Sequence, residues 1–130
     1  ADMLSNTGEI AGSARQAIEG KHQKGALVYG PYQELLIGDY SFEITINVRG
    51  GSSKNRVGKW EIVLYPLEKD RTIKPERGVA VKKGDITRNG KYTISSAFPV
   101  REKDIRVEVR VHYVGKGELS VERVEIQKIR

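Results

Sequence analysis

The chain of 130 residues has no cysteine, which excludes a disulfide scaffold, thiol catalysis and Cys-based metal centres. It has only two histidines, His22 and His112, and their separation gives no zinc spacing. It has no EF-hand-like loop. No resident cofactor is therefore expected. A structural calcium held by loop carboxylates and backbone carbonyls stays open, because such a site leaves little trace in sequence. No Ser sits in a nucleophile elbow, no glycine-rich loop carries the Lys-Ser/Thr of a phosphate site, and no carboxylate pair stands out. No apolar run approaches the roughly 18 residues of a membrane span, and the N-terminus has no signal-peptide core. The expectation is a protein that is not an enzyme, with its compartment left open.

What is present points to β structure. There are 13 Val and 12 Ile against 7 Leu and 7 Ala, and 14 Gly are spread as punctuation between short segments. β-Branched side chains lose rotamer freedom in helices and pack well on a pleated surface. Tyr40, Phe42, Ile44, Ile46 and Val48 alternate with Ser41, Glu43, Thr45 and Asn47, as in a half-buried strand. Ile105, Val107, Val109, Val111 and Tyr113 alternate with Arg106, Glu108, Arg110 and His112 in the same way. Trp60, Ile62 and Leu64 share one phase while Val63 and Tyr65 fill the other, which predicts a central strand covered on both faces. Weaker strands are expected at Ala26–Tyr29, Gly78–Val81, Tyr92–Phe98 and Glu118–Lys128. The last changes phase, so a bulge or a change of facing is expected near Glu122–Arg123. Asn89-Gly90 predicts a tight type I′ hairpin between Asp85–Arg88 and Lys91–Ser95.

The N-terminal positions Ile10, Ala14, Ala17 and Ile18 fit one face of a short helix, and Ala14, Gln16 and Ile18 equally fit an exposed strand. Residues 1–8 are expected to be flexible and residues 9–130 to form one domain. Two charged loops, Arg49–Lys59 and Glu68–Arg77, interrupt the strands. The fold class read from this pattern is all-β, an antiparallel β-sandwich or jelly roll.

The net charge is +6, and it is local. Lys54 to Lys91 holds 11 Lys/Arg against 5 Asp/Glu, and the rest of the chain is balanced. A basic stripe can track phosphates. Single-strand binding, however, interleaves cations with exposed aromatics, and Trp60 and Tyr65 fall on a core-like strand. Nucleic acid is thus the disfavoured partner. Tyr29 and Tyr32, flanking Gly30-Pro31, are expected to pack in the core.

Two stretches carry a resemblance. One is Lys24-Gly-Ala-Leu-Val-Tyr-Gly-Pro-Tyr32 with Leu35 and Gly38-Asp-Tyr-Ser-Phe-Glu-Ile-Thr-Ile46. The other runs from Val107-Glu-Val-Arg-Val-His-Tyr113 through Gly115-Lys-Gly-Glu-Leu-Ser-Val121 to Ile126. Together they resemble the galactose-binding-like β-sandwich modules, over about residues 8 to 128, with Ser52–Gly84 departing from the pattern. The resemblance implies a galactose-binding-domain-like jelly roll with a sugar site on a sheet face or in end loops. It also implies an accessory, carbohydrate-binding module of the kind attached to glycosyltransferases and other surface-polysaccharide enzymes. It transfers no ligand residue.

The expected ligand-binding residues are the polar stripe Glu108, Arg110 and His112 together with Glu43, Thr45 and Asn47, forming one surface if their strands are neighbours. Trp60 or Tyr113 would serve as a stacking platform for a sugar ring. Basic loop residues Arg56, Lys59, Arg71 and Lys74 suggest an acidic glycan as one partner. The rival expectation is a docking domain that packs on a neighbouring domain of a longer polypeptide, for which the start at Ala1 without Met gives room.

Overall fold

The computed structural model describes residues 5–11 and 14–129, with backbone alone at Pro31 and Tyr32. Residues 1–4 of the expected flexible segment lie outside the described residues. Asn6 and Thr7, in its second half, donate backbone hydrogen bonds to the Ala26 carbonyl at 2.7 and 3.3 Å. Among the described residues the strands are β1 (Glu9–Ala11), β2 (Ala14–Ile18), β3 (Gly25–Leu35), β4 (Gly38–Arg49), β5 (Gly58–Pro66), β6 (Val79–Ile86), β7 (Gly90–Val100), β8 (Ile105–Tyr113) and β9 (Glu118–Lys128), with a 3-10 turn at Pro75–Arg77. The N-terminal ambiguity resolves as strand.

Two antiparallel sheets form a β-sandwich. One has five strands in the order β1-β2-β9-β4-β7, and the other has four in the order β3-β8-β5-β6. Between them lies the core. The alternate residues Phe42, Ile44, Ile46 and Val48 of β4 and Val107, Val109, Val111 and Tyr113 of β8 are all buried in it. Full burial of each large apolar side chain contributes on the order of 1.5–3 kcal/mol, so these two strands anchor the sandwich. Tyr40 stacks on Phe98 with ring centroids 5.7 Å apart, and Phe42 meets Trp60 at 5.3 Å.

β5 is central, between β8 and β6, and its second phase is covered as expected: Val63 and Tyr65 are buried. The cover over Tyr65 includes Gly78, where a Cβ would fall 2.4 Å from the phenol ring. The predicted bulge is present. Thr45 pairs with Arg123 and Ile46 with Val121, leaving Glu122 as the extra residue. The expected Asn89-Gly90 hairpin is not formed. β6 belongs to the four-stranded sheet and β7 pairs with β4 in the other, so the turn carries the chain between sheets. Asn89 explains this: its side chain accepts from the Gly51 amide (2.8 Å) and donates to the Gly51 carbonyl (2.9 Å), tying the crossover to the Arg49–Lys59 loop. Gly90 supplies the positive φ, +101°, that the crossover needs.

Candidate functional site

Cross-strand register assigns the outward residues of the four-stranded sheet to rows, because directly opposed residues share a face. His112 stands opposite Lys59, and Lys59 opposite Asp85. The next row runs Tyr29, Arg110, Glu61, Lys83. Below it Glu108 opposes Val63, and Arg106 lies between Glu34 and Tyr65. Strand spacing makes the face about 14 Å across three intervals, and the four rows span about 20 Å along the strands.

Beneath this surface lies a buried polar network. Glu108 is only 2% exposed. Its Oε1 accepts from the Tyr65 hydroxyl at 2.7 Å and from Arg110 Nε at 2.5 Å. Arg110 Nη2 also donates to the Tyr65 oxygen at 2.5 Å, and Nη1 lies 3.6 Å from Glu61 Oε1. A buried carboxylate is tolerated when charge and hydrogen bonds compensate it, and here a guanidinium and a phenol do so. Burial, and then the hydrogen bond to Glu108, push the Tyr65 phenol up to about 12. Burial alone would lower the Arg110 guanidinium, but contact with Glu108 outweighs it and holds the group above its ordinary value. The guanidinium is therefore permanently charged and fixed in orientation from below.

His112 Nε2 is buried, has no hydrogen-bond partner among the described residues, and lies 3.5 Å from Glu61 Oε1. Burial, and then the charge of Lys59, lower its pKa, so the ring is neutral at neutral pH. Tyr29 is half-buried on the same face, with its hydroxyl donating to Asn6 Oδ1 at 3.3 Å. The face thus offers a fixed cation, a carboxylate, an imidazole ring and a phenol ring. Such a set can form hydrogen bonds to vicinal hydroxyls and stack on an apolar ring face.

The expected site residues divide. Glu108, Arg110 and His112 are on this face, although Glu108 is structural. Glu43, Thr45 and Asn47 are on the opposite outer face of the molecule, because β4 pairs with β7 and β9 and never with β8. The single surface expected from the two stripes is therefore corrected to two. Trp60 is opposite Val111 and packs on Phe42 inside the sandwich, and a Cβ on Gly84 would fall 2.7 Å from its Nε1. Tyr113 is 1% exposed, with its hydroxyl donating to the Gly117 carbonyl at 2.7 Å. Tyr113 is therefore closed to a ligand ring, whereas Trp60 is half-buried and lines the groove beside Lys59, Glu61 and Lys83. Sequence reasoning did not select Glu61 and Tyr29 for the site. Their signal lay in the outward phase of β5 and in the register of β3 against Arg110, and the register is not visible without the pairing.

The basic loop residues are mostly engaged. Arg71 adopts a positive φ of 68° and reaches Glu34 and Asp104, Lys74 and Arg77 share Glu68, and Arg56 pairs with Asp85 at 3.1 Å. Among the described residues no three His, Cys, Asp or Glu side chains come together to hold a metal ion, and no helix is long and apolar enough to cross a membrane.

No family model and no curated protein sequence matches the chain. Solved structures do match. A family 16 carbohydrate-binding module superposes with a TM-score of 0.63 at 7% identity, over 95% of this chain and 85% of that one. The CBM22-1–GH10 modules of a Clostridium thermocellum endo-1,4-β-D-xylanase, complexed with xylohexaose, match at 0.57 and 11% identity; they cover 99% of this chain, which spans 25% of the xylanase chain. Accessory secretory protein 1, 2 and 3 of Streptococcus pneumoniae matches at 0.57 and 12% identity, over 97% and 86%. The chain has the β-sandwich fold of carbohydrate-binding modules, and that fold is also used outside them.

Proposed function

We propose that the protein is a non-catalytic carbohydrate-binding module, accessory to a larger polysaccharide-active protein, and that it binds through the outer face of the four-stranded sheet. One observation carries this reading. Arg110 is fixed from below by buried Glu108 and Tyr65, and it presents its open side between Glu61, His112 and Tyr29. A polar array held rigid before the ligand arrives loses little freedom on binding, which is what weak, hydroxyl-rich ligands require. The fold shared with the family 16 and CBM22 modules supports the same reading.

The test is a glycan array followed by affinity electrophoresis with Glu61→Ala, His112→Ala and Tyr29→Ala. Each variant is expected to weaken binding about tenfold, as loss of one well-made hydrogen bond or ring contact would. An array with neutral and acidic glycans that gives no hit at all would overturn the reading. A second reading, docking on a neighbouring domain, is favoured by a different observation. Leu36, Ile37 and Ile129 are 71%, 47% and 55% exposed, and the Ile129 amide is bonded to the Asp39 carbonyl, so these apolar side chains gather at one end of the sandwich. An empty array together with binding to a flanking domain would select it.

A further inference from the structure

At the His112 end of the face, two grooves of about 460 and 540 Å³ meet at Arg56 and Lys59. One runs toward Lys83 and Asp85, and the other toward Lys24 and His112. Arg56 is paired with Asp85, but Lys24, Lys59 and Lys83 have no carboxylate within 4.0 Å among the described residues. This differs from the Glu68–Arg77 loop at the other end of the same sheet, where Arg71, Lys74 and Arg77 each have a carboxylate partner. Three unpaired ammonium groups around confluent grooves make a local positive potential that ligand anions can satisfy. Glu61 lines the first groove and also belongs to the carbohydrate face, so the grooves are continuous with that face.

We propose that Lys24, Lys59 and Lys83 form an anion subsite that selects glycans bearing an acidic sugar, by its carboxylate or ester sulfate. This rests on the carbohydrate-binding reading above and names the ligand class of that site. A nucleic acid strand is the poorer fit. Glu61 and Asp85 interrupt the basic lining, and of the aromatic side chains along the rows Tyr65 is buried, which leaves half-buried Tyr29 on the face and the edge of Trp60 in the first groove, whereas strand binding needs a series of exposed rings.

The test compares matched ligands by calorimetry at about 20 mM and about 200 mM NaCl, where screening differs strongly. The ligands are oligogalacturonate and its methyl ester, glucuronic-acid-bearing and plain xylo-oligosaccharides, a sulfated and a desulfated oligosaccharide, and single-stranded DNA. At low salt at least one acidic ligand should bind about tenfold tighter than its neutral partner, and most of that ratio should vanish at high salt. In the triple variant Lys24→Gln, Lys59→Gln, Lys83→Gln the ratio should fall to about one; circular dichroism and thermal melting would show that these exposed positions leave the fold intact. Neutral glycans binding as well as their acidic partners would overturn the subsite and leave the carbohydrate face standing. No binding of any glycan would overturn both, and tighter binding of DNA than of every acidic glycan would overturn the subsite in favour of nucleic acid.

Discussion

On the outer face of the four-stranded sheet, Glu108 is buried to 2% exposure and bonded to Tyr65 and Arg110, whereas on the outer face of the five-stranded sheet Glu43 and Asn47 point into solvent. Both stripes alternate polar with apolar residues in the same way. They differ in what flanks them. β8 lies between β3 and β5, which bring Tyr29, Glu61 and Tyr65 alongside it, and the Glu68–Arg77 loop, through Arg71, and Gly78 just after it cover one end. β4 lies between β7 and β9, whose outward residues are short or charged side chains: Thr93, which meets the Thr45 hydroxyl at 3.0 Å, Ser95, and the Arg123–Glu125 ion pair. No aromatic residue stands at an outward position of β4, β7 or β9. One face is built over a buried network and carries a ring; the other is an ordinary solvated surface.

The largest test of this contrast is Arg110→Ala. It leaves Glu108 as a buried carboxylate without its cation, so denaturant unfolding should show a loss of about 3–5 kcal/mol. The corresponding change on the other face, Glu43→Ala, should stay within about 0.5 kcal/mol. Comparable losses at the two positions would erase the distinction between the faces. Next in size is Gly84→Ala, whose methyl would meet the Trp60 indole and should cost about 1–3 kcal/mol; a neutral result would mean that Trp60 is free to leave the core.

Tyr65→Phe removes a donor from a buried carboxylate and should cost about 1–3 kcal/mol. The same phenol sets a pH window. Its folded pKa is raised to about 12, above the unfolded value near 10, so its contribution to stability is present below about pH 10 and is lost as the pH rises toward 12. Burial also raises Tyr92 and Tyr113, so tyrosinate absorbance followed against pH should show several late-titrating tyrosines, and the component near pH 12 should be missing in Tyr65→Phe. The smallest effect belongs to His112. Its folded pKa is lowered, so its contribution is present above about pH 6.5 and is lost as the pH falls through the lower folded value. The stability difference between wild type and His112→Gln should therefore narrow on acidification; a difference that is flat with pH would show that the ring is not protected from protons.

Much of the fold was legible because period-two alternation in β4 and β8 and the double phase of β5 report burial directly. The phase change in β9 located the bulge at Glu122. Alternation says which side chains face the core, but not which sheet a strand joins, and so Glu43, Thr45 and Asn47 were set beside Arg110 when they lie on the far side of the molecule. Trp60 is hard to place from sequence for a related reason. A strand apolar in both phases gives no sign of which phase is inside, and only the pairing with Val111 and the glycine at Gly84 settle it. Asn89-Gly90 predicted a hairpin that is not formed, because the contacts that decide the chain's path there are long-range bonds to Gly51.

The most direct test of the central claim sets two double variants side by side on one glycan-binding assay: Glu61→Ala with His112→Ala on the four-stranded face, and Glu43→Ala with Asn47→Ala on the five-stranded face. The account predicts that the first loses binding by at least about tenfold, the equivalent of one contact of about 1.4 kcal/mol, since the two side chains lie 3.5 Å apart and their losses do not simply add, while the second binds as the unmodified protein does. Binding that survives the first pair and is lost with the second would contradict it.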